Sequence, residues 1–244
     1  MMSKNNYLYQ LSSFVALAVI ALFLFAPVSA SAETVLRISD SISLAADQTV
    51  EDDFYGIAGL YGPVSLSGSV EGDAYVFGSS VTINGPVDGD LAAAWGAVQV
   101  HASVTDDVRI FGGEVTIAEY VGGDVFVYGG SLNVLSSAEI AGDVFYYDIL
   151  NGAAEINGTV GGSIFGNMHS LRVDGAVGGS IDVVVDELVL GERADVTENV
   201  TYTSAADLVR AQNAVVAGEI IRNDAPVIPV NTREALVPLL MYAF

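Results

Sequence analysis

The chain has 244 residues, 52% of them hydrophobic, and its 30 Asp and Glu residues against 8 Lys and Arg give a formal net charge of −22. A surface this acidic repels phosphate backbones, so no nucleic-acid-binding function is expected. The absence of cysteine excludes disulfides, zinc–thiolate sites and thiol catalysis.

Residues 1–32 have the features of a secretory signal peptide. Lys4 precedes an apolar run of 13 residues, Phe14 to Ala26, which small residues follow. The run is shorter than the ~20 residues that a membrane-spanning helix needs. We therefore expect export with cleavage after Ala32 or Ala30, the alternative being an uncleaved anchor. The mature chain would be extracytoplasmic, in the periplasm or at the cell surface.

A V-x-G-D mark recurs through residues 33–222, the expected repeat domain. Its starting positions, 17–20 residues apart, are Val50, Val70, Val87, Val104, Val121, Ile140, Val160, Val177, Val196 and Val216. The fourth position of the mark holds Asp53, Asp73, Asp90, Asp107, Asp124, Asp143, Ser163, Ser180, Asn199 and Glu219. Internal repeats of this length are typical of solenoids.

Apolar residues alternate with others inside each repeat, as Val108 and Ile110 do, and a second apolar pair such as Val115 and Ile117 follows. This period of two indicates strands with one buried face, separated by glycine-rich bends. The sequence therefore predicts an all-β fold, a parallel β-helix (β-solenoid) of about ten 17–20-residue coils. We expect residues 33–49 to form a degenerate first coil, and the corner glycines to adopt positive φ.

The segments "VTDDVRIFGGEVTI", "VGGDVFVYGGSLNV" and "VEGDAYVFGSSVTI" resemble the repeats of bactofilins and of the wider group of polymer-forming, bactofilin-like β-helix proteins. The resemblance covers residues 42–222. It implies a right-handed, triangular β-helix that polymerises end to end without nucleotide. The lead-in "SISLAADQTVEDDFY" is similar to that of membrane-attached relatives. A signal peptide departs from typical bactofilins, which are cytosolic.

The aspartates of the mark would stack in one file, which has two interpretations. Each carboxylate could accept a backbone N–H at its own corner, as in Asx-turns. Carboxylates ~5 Å apart could instead associate weakly with a divalent cation that offsets their repulsion. The candidates for such association are Asp73, Asp90, Asp107, Asp124 and Asp143. The later Ser and Asn residues favour hydrogen bonding, and we expect no cofactor or dedicated metal site.

Aromatic residues stand two and four positions after the aspartates, where an outward direction on one flat face is expected. This candidate interaction face comprises Tyr55, Tyr75, Phe77, Phe111, Phe126, Tyr128, Phe145, Tyr147 and Phe165, together with Trp95, which stands one position further, at the corner. The rings could form a purely structural stacking ladder. An exposed apolar face could also bind a second copy, an envelope protein or a cell-wall glycan, with protein contact favoured over glycan.

Residues 223–244 break the repeat with Pro226 and Pro229 and end in "ALVPLLMYAF". Ten apolar residues are too few to span a bilayer. The tail could be interfacial, could cap the last coil, or could begin a transmembrane helix; the last interpretation is favoured and would tether the protein to the membrane.

No catalytic group stands out, so the chain is not expected to be an enzyme. The two histidines, His101 and His169, lie in separate repeats, and no carboxylate pair is singled out for glycoside hydrolysis. We expect a structural or scaffolding protein of the bacterial cell envelope that self-associates through its β-helix. Coil ends would add by β-augmentation, and the aromatic face would supply side contacts. The alternative is a surface binding module or adhesin for glycan or protein, with a wall-acting enzyme third.

Overall fold

A computed structural model describes residues 34–59, 61–149 and 151–225. The predicted signal peptide (1–32) and most of the predicted tail (226–244) therefore lie outside the described residues. The described residues form parallel β-strands and turns. No helix among them is long and apolar enough to cross a membrane.

The strands are β1 (Val35–Ser39), β2 (Ile42–Leu44), β3 (Thr49–Val50), β4 (Phe54–Ala58), β5 (Pro63–Leu66), β6 (Ser69–Val70), β7 (Ala74–Ile83), β8 (Leu91–Val100), β9 (Val108–Ile117), β10 (Val125–Val134), β11 (Glu139–Ile140), β12 (Val144–Asp148), β13 (Ala153–Ile156), β14 (Thr159–Val160), β15 (Ile164–Val173), β16 (Ala176–Val177), β17 (Ile181–Leu190), β18 (Asp195–Val196), β19 (Val200–Thr203), β20 (Val209–Arg210), β21 (Val215–Val216) and β22 (Ile220–Asn223).

The coils stack into a β-solenoid of about 11 turns, which confirms the predicted fold class. Eleven parallel strands run along one side in the order β1-β4-β7-β8-β9-β10-β12-β15-β17-β19-β22. The extra turn relative to the ten V-x-G-D marks comes from the lead segment. There β1 pairs with β4 and β2 pairs with β5, so the expected degenerate first coil is present.

Each coil has three sides because its chain bends between short straight segments. In the ten-residue strand β7 the burial alternation changes phase between Gly78 and Val81, and the two halves of β10 pair with separate strands, β12 and β13. The first half of such a strand therefore forms one side and the second half the next. The third side is formed by the valine of the mark, through isolated parallel bridges such as Val87 to Val104 and Val104 to Val121. Every coil therefore directs three apolar segments inward, as the alternation predicted.

The core consists of aliphatic side chains stacked in register from coil to coil. Val100, Ile117 and Val134 are paired neighbours in successive coils, and each is 0% exposed. Burying one such side chain stabilises the fold by ~1.5–3 kcal/mol. Because a single coil covers neither of its own faces, this stabilisation requires the coils above and below.

Arginine occupies core-facing positions in the first and last described coils. Arg37 is paired with Gly56, and its guanidinium lies 5.6 Å from the centre of the Phe54 ring. At the other end Arg222 is paired with the buried Tyr202 and donates to the Ser204 carbonyl at 3.1 Å. A charged side chain therefore lies at each end of the described core.

Candidate interaction face

The aspartates of the mark connect successive coils. The Oδ1 atom of each accepts the backbone N–H of the equivalent residue in the following coil. These bonds measure 3.0 Å from Asp53 to Asp73, 2.8 Å from Asp73 to Asp90, 3.0 Å from Asp90 to Asp107, 2.8 Å from Asp107 to Asp124, 2.8 Å from Asp124 to Asp143 and 2.7 Å from Asp143 to Ser163. The predicted bond to the residue's own corner is wrong, because the neighbouring coil brings an N–H closer.

The later serine and asparagine keep this arrangement with other acceptors. The Ser180 N–H donates to Ser163 Oγ at 3.0 Å, and the Glu219 N–H donates to Asn199 Oδ1 at 2.8 Å. A neutral oxygen therefore serves the same purpose as a carboxylate. The hydrogen-bonding interpretation of this file rests on that equivalence.

The glycine of V-x-G-D leaves room for the carboxylate of the preceding coil. A Cβ added to Gly123 would lie 2.2 Å from Asp107 Oδ1, and one added to Gly142 would lie 2.2 Å from Asp124 Oδ1. The prediction that corner glycines adopt positive φ is wrong. Gly166, at φ 152°, is the one glycine of the described chain with such a φ. Close approach between coils, not handedness of the turn, explains most of these glycines.

Replacing Asp107 by alanine should lower the free energy of unfolding by about 1–3 kcal/mol, because the Asp124 N–H loses its acceptor. Asp107→Asn keeps an Oδ1 acceptor and should cost no more than about 1 kcal/mol, mainly through the weakened ion pair with Arg109. Urea denaturation of both variants measures the difference. Equal losses for Ala and Asn would contradict the role given to Oδ1.

The aromatic residues form two parallel files on the outer surface of the first side, which we call the aromatic face. In file one, Tyr55 and Tyr75 stack with ring centres 4.9 Å apart, and Phe126, Phe145 and Phe165 stack at 4.5 and 5.2 Å. In file two, Phe111, Tyr128 and Tyr147 follow at 5.8 and 6.4 Å. Stacked rings cover one another's faces, so they present mainly their edges to solvent.

The file positions between Tyr55 and Phe165 hold one charged side chain, a residue that sequence reasoning missed. Arg109 stands in file one, two positions after Asp107, between Ala92 of the preceding coil and Phe126 of the following coil. Its guanidinium bonds Asp90 at 2.6 Å and Asp107 at 2.5 Å and lies 5.9 Å from the Phe126 ring centre. The sequence does indicate this position: in "DDVRIF" Arg109 stands two residues after its aspartate, as Tyr75 and Phe126 stand two residues after theirs.

A groove of about 430 Å³ lies on this face between the two files. Its lining includes Ala92 and Ala94 on β8, and Arg109, Phe111, Phe126 and Tyr128 on the two following strands. The groove exists because β8 has alanine at both file positions. Sequence reasoning did not identify it, although "LAAAW" interrupts both aromatic columns at once.

Tyr75 connects the aromatic face to the aspartate file. Burial, together with the bond that its hydroxyl donates to Asp73 Oδ2 at 2.9 Å, raises the pKa of Tyr75 well above its ordinary value. The charged form is disfavoured in the folded state. Tyr75 therefore contributes stability that is complete below the unfolded pKa of ~10 and is lost as the pH rises through the folded pKa.

The free energy of unfolding should therefore fall less steeply above about pH 10 in Tyr75→Phe than in the unaltered protein. Denaturant unfolding at a series of alkaline pH values measures both slopes. The variant removes only the titrating hydroxyl, so identical slopes would contradict the assignment.

Neither histidine lies on the aromatic face. His169 Nδ1 lies 2.9 Å from Asp186 Oδ2 in an exposed pair, and His101 is exposed. Among the described residues, no group of three or more His, Cys, Asp or Glu side chains is arranged to hold a metal ion.

Comparison with known proteins gave no relative: no family model, no curated protein and no solved structure matches the chain.

Proposed function

We propose that this chain is a structural, non-catalytic protein of the bacterial cell envelope that self-associates through its β-helix, like the bactofilin-like proteins whose repeats it resembles. One observation carries the proposal. In a chain with 30 acidic residues, the file positions of seven successive strands, from Tyr55 on β4 to Phe165 on β15, hold no carboxylate. Large exposed apolar surface of this kind usually marks an interface.

The electrostatics of the chain favour association through this face over its other surfaces. With a net charge of −22, two copies repel each other at most approaches. On the aromatic face the exposed groups include rings such as Tyr128 (48% exposed) and Tyr147 (40% exposed). Arg109, the one charged residue at a file position, is paired with Asp90 and Asp107. Side-by-side contact here places no file-position carboxylate of one copy against the other.

The ends of the solenoid favour side contacts over end-to-end addition. Among the described residues, β1 pairs with β4 alone and β22 pairs with β19 alone, so each leaves an edge to which a further strand could add. However, Arg37 and Arg222 stand at core-facing positions at these edges, and inward charge is a known device against edge pairing. End addition, implied by the bactofilin resemblance, would also place these arginines opposite each other.

We propose that the protein functions outside the cytoplasmic membrane, on the strength of the signal-like residues 1–32, and that residues 223–244 tether it to the membrane. No cofactor takes part in this proposal. The alternative is a binding module for cell-wall glycan. The observation that favours it is the aromatic-walled groove beside Arg109, since such grooves combine apolar walls with a few polar groups.

Sedimentation velocity across a concentration series, at low and high salt, tests the proposal. We expect the mass to rise with concentration, and to rise further in high salt because screening weakens the repulsion between acidic copies. Negative-stain images of the same samples distinguish filaments, formed by end addition, from paired solenoids. A single monomeric mass at every concentration and salt would overturn self-association. Saturable binding of a soluble wall oligosaccharide by that monomer would favour the alternative.

A further inference from the structure

Trp95 stands at the corner beside the aromatic face, one position after Ala94 of file two. Its φ of 108° lies in a range that costs a non-glycine residue of order 1–3 kcal/mol. Its partners in the neighbouring coils are Gly78 and Gly112. The indole is 53% exposed and tilts against the Phe77 ring at 5.9 Å. A large apolar side chain thus projects from a strained position at which the adjacent coils have glycine.

The groove begins on the same strand. Ala92 and Ala94 form its floor on β8, while Arg109 with Phe126 and Phe111 with Tyr128 line it farther along the two files. A projecting ring and the head of an apolar groove therefore lie within three residues of each other. Because both belong to one strand, a two-fold axis through β8 would bring each ring over the other copy's groove. A closed pair with a self-complementary surface requires this arrangement.

The size of the face agrees with a dissociable pair. Seven strands spaced by ~4.8 Å and four residues across at ~3.3 Å give roughly 450 Å² of flat surface per copy. Two copies would bury about 900 Å², near the ~1,000 Å² at which specific interfaces begin. One deeply inserted aromatic anchor on each side is what makes an interface of this size effective.

We propose that the partner of the aromatic face is a second copy of this chain, and that Trp95 of each copy inserts into the Ala92–Ala94 end of the other's groove. The inference rests on the proposed self-association and specifies its contact. The file positions hold no carboxylate, and Asp107, the one carboxylate that lines the groove, is paired with Arg109. A second copy of this acidic chain therefore meets no unpaired carboxylate in the groove. The strain at Trp95 is then explained by the position that the indole must take to reach across.

Two variants test this contact without removing core residues. Trp95→Gly introduces the residue found at this corner in both neighbouring coils and relieves the φ strain, so the thermal midpoint should not fall. Tyr128→Glu places a charge on the groove wall. We expect each to weaken self-association at least about 30-fold in Kd, the effect of losing one interface anchor. The matched control is Gln99→Glu, which adds the same charge on the second side of β8 and should leave the Kd unchanged.

The outcomes separate the inference from the proposed function. If the unaltered protein associates and Trp95→Gly associates equally well, the Trp95 contact is wrong while self-association stands. If Gln99→Glu weakens association as much as Tyr128→Glu, the contact lies elsewhere on the solenoid. If the unaltered protein stays monomeric and a soluble wall oligosaccharide binds it but not Trp95→Gly, the face serves a glycan and both proposals fall.

Discussion

Replacing Ile117 by alanine is expected to lower the free energy of unfolding by about 2–5 kcal/mol. Ile117 is 0% exposed at the centre of the solenoid, between Val100 and Val134 of the adjacent coils. Truncation removes buried methyl groups and leaves a cavity. The surrounding strands cannot move inward to fill it, because backbone hydrogen bonds hold each coil to the coils on both sides. Urea denaturation followed by circular dichroism gives the change directly.

The control for this variant is Thr116→Ala on the same strand. Thr116 points outward, so its truncation should change the stability by no more than about 0.5 kcal/mol. A loss at position 117 as small as the loss at position 116 would show that the core does not depend on stacking in register.

Substituting Gly96 by alanine should destabilise the protein by about 3 kcal/mol or more, because the added methyl group meets backbone. An ideal Cβ at this position would lie 1.7 Å from the Ser79 carbonyl oxygen and 2.5 Å from its carbon. Neither atom can move without shifting the preceding coil. We expect a large drop in thermal midpoint and loss of protection from hydrogen exchange in β7 and β8.

The neighbouring coil offers a matched control at the equivalent corner. A Cβ at Gly113 would have its nearest contact at 3.7 Å, to the Gly96 carbonyl oxygen. Gly113→Ala should therefore be neutral or stabilising by a few tenths of a kcal/mol, through the reduced freedom of the unfolded chain. Similar losses at the two corners would contradict the close approach inferred at Gly96.

The fold could be predicted from the sequence because its rules are local. Alternation at period two predicts that Val108 and Ile110 point inward, whatever residues the neighbouring coils contain. The valine of each mark supplies the inward residue of the third side. Spacing of the marks then gave the coil length and nearly the number of coils. The lead segment was harder, since β1 and β2 lack the mark and are identified by their pairing.

Features that depend on neighbouring coils were predicted less well. Asp107 was expected to bond within its own corner, but its acceptor oxygen meets the N–H of Asp124, which is 17 residues away. The role of Gly123 as space for that carboxylate, and the place of Arg109 in an aromatic file, likewise depend on what lies one coil away. Because the coils vary from 17 to 20 residues, the partner of a residue in the next coil can be identified only when the strand register between those two coils is known. The strained φ of Trp95 has no sequence signal other than its replacement of a corner glycine.

The most direct test of the central claim, that the aromatic face is the contact between copies, is site-specific cross-linking. The protein has no cysteine, so a single introduced thiol reports on its own position. Tyr128→Cys places the thiol on the aromatic face, and Gln99→Cys places it on the second side of the solenoid. With a short bifunctional thiol reagent, we expect a cross-linked dimer from the first variant and monomer from the second. Dimer from Gln99→Cys with none from Tyr128→Cys would contradict the claim.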